Sequence, residues 1–338
     1  MLDFAIIGFP KSGTSFLKNY LNQTDETYVY HVEFCIKKKS DLIRFVEVYY
    51  GLHLQFQQQQ QQQQQASSTT QQQQQKKILF GLKCPGVLYR THDLQFYQHY
   101  FPNTKFIIGL RHPVLWFESF YNYQINRNVS MPELTTSSSS LLLVGKCEHH
   151  EKVCTDRGRF HAALARLRKT ELVEREEVDL LFGTRYEEGS NYNSSSSYNN
   201  NNSSHHSRKE RFLSSSKSHK QQQQQQEFPN QLLLYEVQQL HQTNTTIPQQ
   251  VSETLRNYLG IQQELPPIRS YKNVKPRAID ICDDEHASVR RLLVNHGTDA
   301  AIWIQKYLMK SPSVEVASAE SFVRLLDGWS VDPCANNA

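Results

Sequence analysis

The ten residues Gly8-Phe9-Pro10-Lys11-Ser12-Gly13-Thr14-Ser15-Phe16-Leu17 constrain the fold of this chain more than any other stretch. They follow a short apolar run, Phe4-Ala5-Ile6-Ile7, and lead into a helix-like stretch from Phe16 to Leu21. A strand, a tight loop and a helix in that order aim loop amides and a helix N-terminus at an anion, usually a phosphate. The lysine position separates this loop from the common nucleoside-triphosphate loop, in which the lysine follows the second glycine. Here Lys11 precedes Gly13, inside Pro10-Lys11-Ser12-Gly13-Thr14.

Further strand candidates are Thr27–His31, Ile78–Lys83, Lys105–Leu110 and Gln231–Val237, making about five with Phe4–Gly8. Most are continuous apolar runs, as expected of parallel strands covered on both faces. Helical patterns alternate with them: Leu42 to Tyr49, His92–Tyr100 stopped by Phe101-Pro102-Asn103, Val114–Asn126 with Pro113 in its first turn, and Phe160 to Leu167. Val251–Leu259 ends at Gly260, a C-cap signal, and the last third reads as helices Glu285–His296 (ended by Gly297), Thr298–Leu308 and Ser318–Leu326. The alternation predicts an α/β fold with a parallel sheet, helices on both faces and a helical C-terminal third. Ligands in such sheets bind at the carboxyl ends of the strands. Those ends carry the Lys11 loop, His31-Val32-Glu33, Lys83-Cys84-Pro85 and Arg111-His112-Pro113.

Unbroken glutamine runs occupy Gln57–Gln65, Gln71–Gln75 and Gln221–Gln226, and Ser194–Ser197 and Asn199–Asn202 lie in a polar tract. Such segments bury too little apolar surface to offset ordering entropy, so 55–77 and 186–227 are expected to be disordered insertions in one domain spanning 1–334. Without them about 270 of the 338 residues remain, a suitable size for a single α/β domain. A net charge of +4 is too weak to mark a nucleic-acid binder. The six cysteines are too few for a disulfide scaffold. Cys147 and Cys154 flank Glu148-His149-His150 at a spacing that fits no standard zinc pattern; free thiols are the leading expectation for this pair, with a local disulfide and then a zinc site as the alternatives. No run of about 18 apolar residues occurs, so no transmembrane segment is expected. Met1-Leu2-Asp3 leads directly into the first strand without a signal peptide. The compartment is left open: soluble as given, cytoplasmic or, if an anchor precedes Met1, lumenal in the Golgi.

A second anion-binding pattern follows the strand Lys105–Leu110: Arg111-His112-Pro113, with Ser119 two helical turns further on. An arginine fork plus a hydroxyl grips a phosphate monoester. Together the two motifs resemble those of sulfotransferases that use 3′-phosphoadenosine-5′-phosphosulfate (PAPS). The first loop is similar to that family's 5′-phosphosulfate loop, and the Arg111/Ser119 pair to its 3′-phosphate grip. Leu82-Lys83-Cys84-Pro85 resembles the Lys-Ser/Thr-Pro segment of the Golgi, heparan-type branch, with cysteine replacing the hydroxyl residue. Tyr30-His31-Val32-Glu33-Phe34 resembles a Lys-Glu-x-His-Phe segment carrying the family's base, with the two residue types swapped. Leu232 to Glu236 resembles a late strand leading to an acidic turn. Lys272 to Asp280 resembles the nucleotide-covering loop, with Lys272, Lys275 and Arg277 as phosphate contacts.

The resemblance implies transfer of a sulfuryl group from PAPS, as co-substrate, to a hydroxyl or amine of an acceptor. The implied donor contacts are Pro10, Lys11, Ser12, Gly13, Thr14, Ser15, Arg111, Ser119, Lys272 and Lys275. The implied catalytic residues are Lys11, Lys83 and one of His31 and Glu33 as base. No metal is expected, since lysines supply the charge that magnesium supplies to triphosphates. Carbohydrate is the first expectation for the acceptor and a lipid or sterol alcohol the second. Rival readings are a non-catalytic PAPS- or nucleotide-binding protein of the same fold and a P-loop nucleotide kinase.

Overall fold

The computed structural model describes residues 2–66, 78–89, 91–128, 134, 230–242, 246–269 and 277–335. Its centre is a six-stranded, wholly parallel sheet of β1 (Phe4–Ile6), β2 (Thr27–Val29), β3 (Leu79–Lys83), β4 (Lys105–Leu110), β5 (Leu232–Glu236) and β6 (Val314–Val316). The spatial order is β2-β3-β1-β4-β5-β6. The helices are α1 (Thr14–Leu21), α2 (Lys39–Ala66), α3 (Thr91–Tyr100), α4 (Pro113–Ile125), α5 (Thr246–Leu259), α6 (Ala287–Lys306) and α7 (Ala319–Asp327). The α/β class, the parallel sheet and the helical C-terminal region are as the sequence predicts.

Burial follows the period-2 geometry of strands. In β4, Phe106, Ile108 and Leu110 enter one core with Leu94, Tyr97, Trp303 and Phe322, while Ile107 enters another with Leu17, Tyr20, Leu255 and Tyr258. The first core lies under α2, α3, the end of α6 and α7; the second lies under α1 and α5. A third cluster, including Trp116, Phe117, Phe120, Val289 and Leu293, packs α4 against the first half of α6. Each cluster excludes water from one side of an element, and burial of this kind is the main favourable term in folding.

Three expectations need correction. The sheet has a sixth strand: Val314-Glu315-Val316 is a three-residue edge strand too short to stand out from its helical surroundings, with Leu232 to Leu234 as its partners. Gly297 does not end a helix: α6 runs unbroken through it. A Cβ at Gly297 would come 2.8 Å from the Trp329 carbonyl oxygen and 3.3 Å from the Pro113 ring, so glycine serves a close approach rather than a cap. The run Gln57–Gln65 is not irregular, because α2 continues through it to Ala66. Glutamine is a good helix former and extending an existing helix avoids the nucleation cost. The structure also pairs Cys35 with Cys84 and Cys282 with Cys334, which the sequence leaves open. Spacing along the chain could not reveal partners that lie 49 and 52 residues apart.

The 186–227 insertion, the 160–167 helix, Cys147, Cys154, Lys272 and Lys275 lie outside the described residues. Among the described residues no helix is long and apolar enough to cross a membrane.

Candidate active site

The loop after β1 is seated by three side chains from neighbouring elements. The Trp116 indole Nε1–H donates to the Pro10 carbonyl at 2.7 Å, Arg111 Nη1 to the Lys11 carbonyl at 3.2 Å, and the Tyr235 hydroxyl to the Ser12 carbonyl at 2.8 Å. Three consecutive carbonyls are thereby turned toward β4, α4 and β5. In a planar trans peptide the next N–H points the opposite way, so the amides of Lys11 and Gly13 face away from these anchors. Lys11 and Gly13 both have left-handed backbones, with φ of 67° and 74°. Amides turned by such residues form an anion-binding concavity. Gly13 also begins α1 without a side-chain cap, leaving first-turn amides and the positive end of the helix dipole at the same place. Ser12 is fully buried, and among the described residues its Oγ has no hydrogen-bond partner.

Two glycines permit this seating. A Cβ on Gly8 would collide with the backbone of Ile108 and Gly109, and one on Gly109 with the Ser12 carbonyl and the Tyr235 hydroxyl. Gly109 lies inside a strand, where glycine often marks a close backbone approach; that was the available sequence signal for this contact. Tyr235 and Trp116 carried no such signal, since both read as ordinary apolar positions.

The other strand ends converge on the loop. Lys83, at the end of β3, places Nζ 3.1 Å from the Ser15 hydroxyl in the first turn of α1 and 3.1 Å from Glu33 Oε2. Glu33 is exposed, whereas the Lys83 side chain is only 12% exposed. His31 is also exposed; its carbonyl accepts from Lys18 Nζ at 2.9 Å, and its ring lies 4.7 Å from that of Tyr30. Of the two base candidates, Glu33 is therefore the one joined to Lys83. Lys11 Nζ lies 4.8 Å from the centre of the Tyr123 ring on α4. Thr14 is buried in the first turn of α1, and Ser119 is half-buried on α4. Next to Ser119, Glu118 pairs with Arg277 at 3.4 Å, and Arg277 also reaches Asp280 at 3.7 Å.

Behind the loop lies a charged centre. Burial lowers the pKa of the Arg111 guanidinium, while the charges of Glu236 and Glu118 oppose that shift. Glu236, fully buried, accepts from the amide of His112 at 3.2 Å and from that of Gln238 at 2.5 Å, tying the β4–α4 turn to the end of β5. Burial pushes its carboxyl up from 4.5 to about 7, against those two amides and Arg111. A raised carboxyl pKa means that the folded state binds the proton more tightly than the unfolded state. Its contribution to stability is fully present below about 4.5 and is lost as pH rises through about 7. The stability of Glu236→Gln relative to wild type is therefore expected to climb between those limits and level off above them. Urea denaturation across a pH series checks this, and a flat difference would contradict it.

Residues 5–243 match the family model described as a sulfotransferase domain. Among solved structures, the chain is similar to a sulfotransferase from Alicyclobacillus acidocaldarius at 14% identity and a TM-score of 0.44, over 90% of this chain and 95% of that one. No curated protein sequence matches.

Proposed function

Because the chain belongs to the sulfotransferase domain family, we propose that it transfers the sulfuryl group of PAPS to a hydroxyl or amine acceptor. The observation that carries the donor assignment is the hydrogen bond from Arg111 to the Lys11 carbonyl. It joins the two anion-binding elements that a nucleotide phosphorylated at both its 5′ and 3′ ends requires. The 5′-phosphosulfate is assigned to the loop Pro10 to Ser15, whose amides from Lys11 onward and hydroxyls of Ser12, Thr14 and Ser15 supply the donors. Arg111 and Ser119 are assigned to the 3′-phosphate, with Lys272 and Lys275 covering the nucleotide.

In the reaction the acceptor oxygen or nitrogen forms a bond to sulfur. The bond from sulfur to the bridging oxygen of the 5′-phosphate breaks, and adenosine 3′,5′-bisphosphate leaves. Lys11 offsets charge developing on the bridging oxygen, and Lys83 holds the sulfuryl oxygens. Glu33 takes the acceptor proton, a role supported by its place beside Lys83. Most of the rate enhancement in such a site comes from positioning and charge stabilisation. The acceptor is read as a carbohydrate, on the resemblance of Lys83-Cys84-Pro85 to the Golgi branch, ahead of a lipid or sterol alcohol.

The test is release of adenosine 3′,5′-bisphosphate from PAPS in the presence of glycan, lipid-alcohol and sterol panels, with sulfated products identified by mass spectrometry. Acceptor-dependent release is expected, and Glu33→Gln is expected to abolish more of it than His31→Ala. Nucleotide binding without any product would instead identify a non-catalytic binding protein, and magnesium-dependent ATP turnover would identify a kinase.

A further inference from the structure

We propose that the Cys35–Cys84 disulfide is a positioning device that holds Glu33 against Lys83 at the site rim; this rests on the assignment of those two residues to catalysis. Cys84 directly follows Lys83, and Cys35 lies two residues beyond Glu33, with their Cα atoms 5.0 Å apart. Cys84 is fully buried and its amide is fixed to the Ile6 carbonyl at 3.0 Å, so one end of the bridge is anchored to the central strand. The other end lies between Phe34 and Ile36, which pack on the first core, while the three residues before them are held to their neighbours by backbone bonds and by Lys18 on the His31 carbonyl. Between Tyr30 and Phe34 the backbone reaches β3 through the bonds Tyr30 N to Gly81 O and Phe34 N to Lys83 O, and His31, Val32 and Glu33 are all exposed. An exposed ion pair alone fixes geometry weakly, because water and side-chain entropy compete with it. A covalent bond two residues away narrows the positions that Glu33 can reach.

The chain between the two cysteines gives the bridge a second consequence. That stretch contains α2 and the first two glutamine runs. In the unfolded chain the two cysteines are 49 residues apart, and the bridge removes part of the entropy cost of bringing the two rim segments together.

The experiment compares the full chain as wild type, C35S/C84S, E33Q and E33Q/C35S/C84S, with C282S/C334S as the control for loss of the other disulfide. Peptide mapping of wild type without reductant is expected to return a linked Cys35–Cys84 peptide. In C35S/C84S, amide hydrogen exchange is expected to rise in residues 31–36. The kcat with PAPS is expected to fall about 10–100-fold, as for a displaced catalytic group, while affinity for adenosine 3′,5′-bisphosphate stays unchanged. In the E33Q background the same cysteine changes are expected to add no further loss, since the two act through one group. Free Cys35 and Cys84 thiols in the mapped protein, unchanged exchange in 31–36, or losses that simply add would each overturn the proposal. Mapping and exchange do not need turnover, so a wild-type protein that binds the bisphosphate without transferring sulfate would sink the catalytic assignment while the bridge itself is still judged.

Discussion

Replacing Lys11 by alanine is expected to lower kcat by about 10²–10³, equivalent to about 3–4 kcal/mol of transition-state stabilisation. The magnitude is that of losing one donor aimed at a developing oxyanion. Lys11 lies on the loop that opens α1, its backbone is left-handed, and its carbonyl is held by Arg111. The ammonium group follows from a backbone position fixed on both sides by the Trp116 and Tyr235 bonds to Pro10 and Ser12. Charge on the bridging oxygen grows only as the sulfur–oxygen bond breaks, so the loss should fall mainly on kcat. Single-turnover rates with saturating PAPS measure this directly. A Lys11→Ala protein with unchanged kcat and a raised KM for PAPS would reassign the lysine to ground-state binding.

Arg111→Ala is expected to produce the second-largest effect, and on binding rather than chemistry. Removing a partly buried cation that pairs with a phosphate costs about 2–4 kcal/mol, or roughly 30- to 1,000-fold in Kd. The discriminating measurement is a pair of ligands in calorimetry, adenosine 3′,5′-bisphosphate and adenosine 5′-monophosphate. Wild type should prefer the bisphosphate strongly, and Arg111→Ala should lose most of that preference while its affinity for the monophosphate changes little. Equal losses for both ligands would mean that the substitution has loosened the loop through the lost bond to the Lys11 carbonyl. Arg111→Lys separates the two roles further, because lysine keeps the charge but not the planar fork.

Much of the site was legible in the sequence because it is local. A loop such as Gly8–Gly13 encodes its own turn, and its neighbours announce a strand before it and a helix after it. The strand ends at Lys83 and Arg111 were legible for the same reason, since a parallel sheet places successive carboxyl ends on one rim. What the residues could not announce is how separate rims touch. Tyr235 looks like a strand residue, yet its hydroxyl lies 223 residues away in sequence from the carbonyl it holds. Glu236 looked like part of an acidic turn, and only burial between two backbone amides makes it a clamp. His31 and Glu33 are equally plausible as types, and which of them meets Lys83 depends on how the segment after β2 packs beside β3.

The sequence by itself determined the strand–loop–helix at Gly8 to Leu21, the turn at Arg111 after β4 and most of the alternation of strands and helices, because periodicity and turn chemistry act over a few residues. Tertiary structure alone decided which side chains brace that loop, which carboxylate meets Lys83 and which cysteines pair. These are contacts between segments tens to hundreds of residues apart. Their partners are selected by the packing of the whole sheet and its helices, which is a property of the folded core and of no single stretch of the chain.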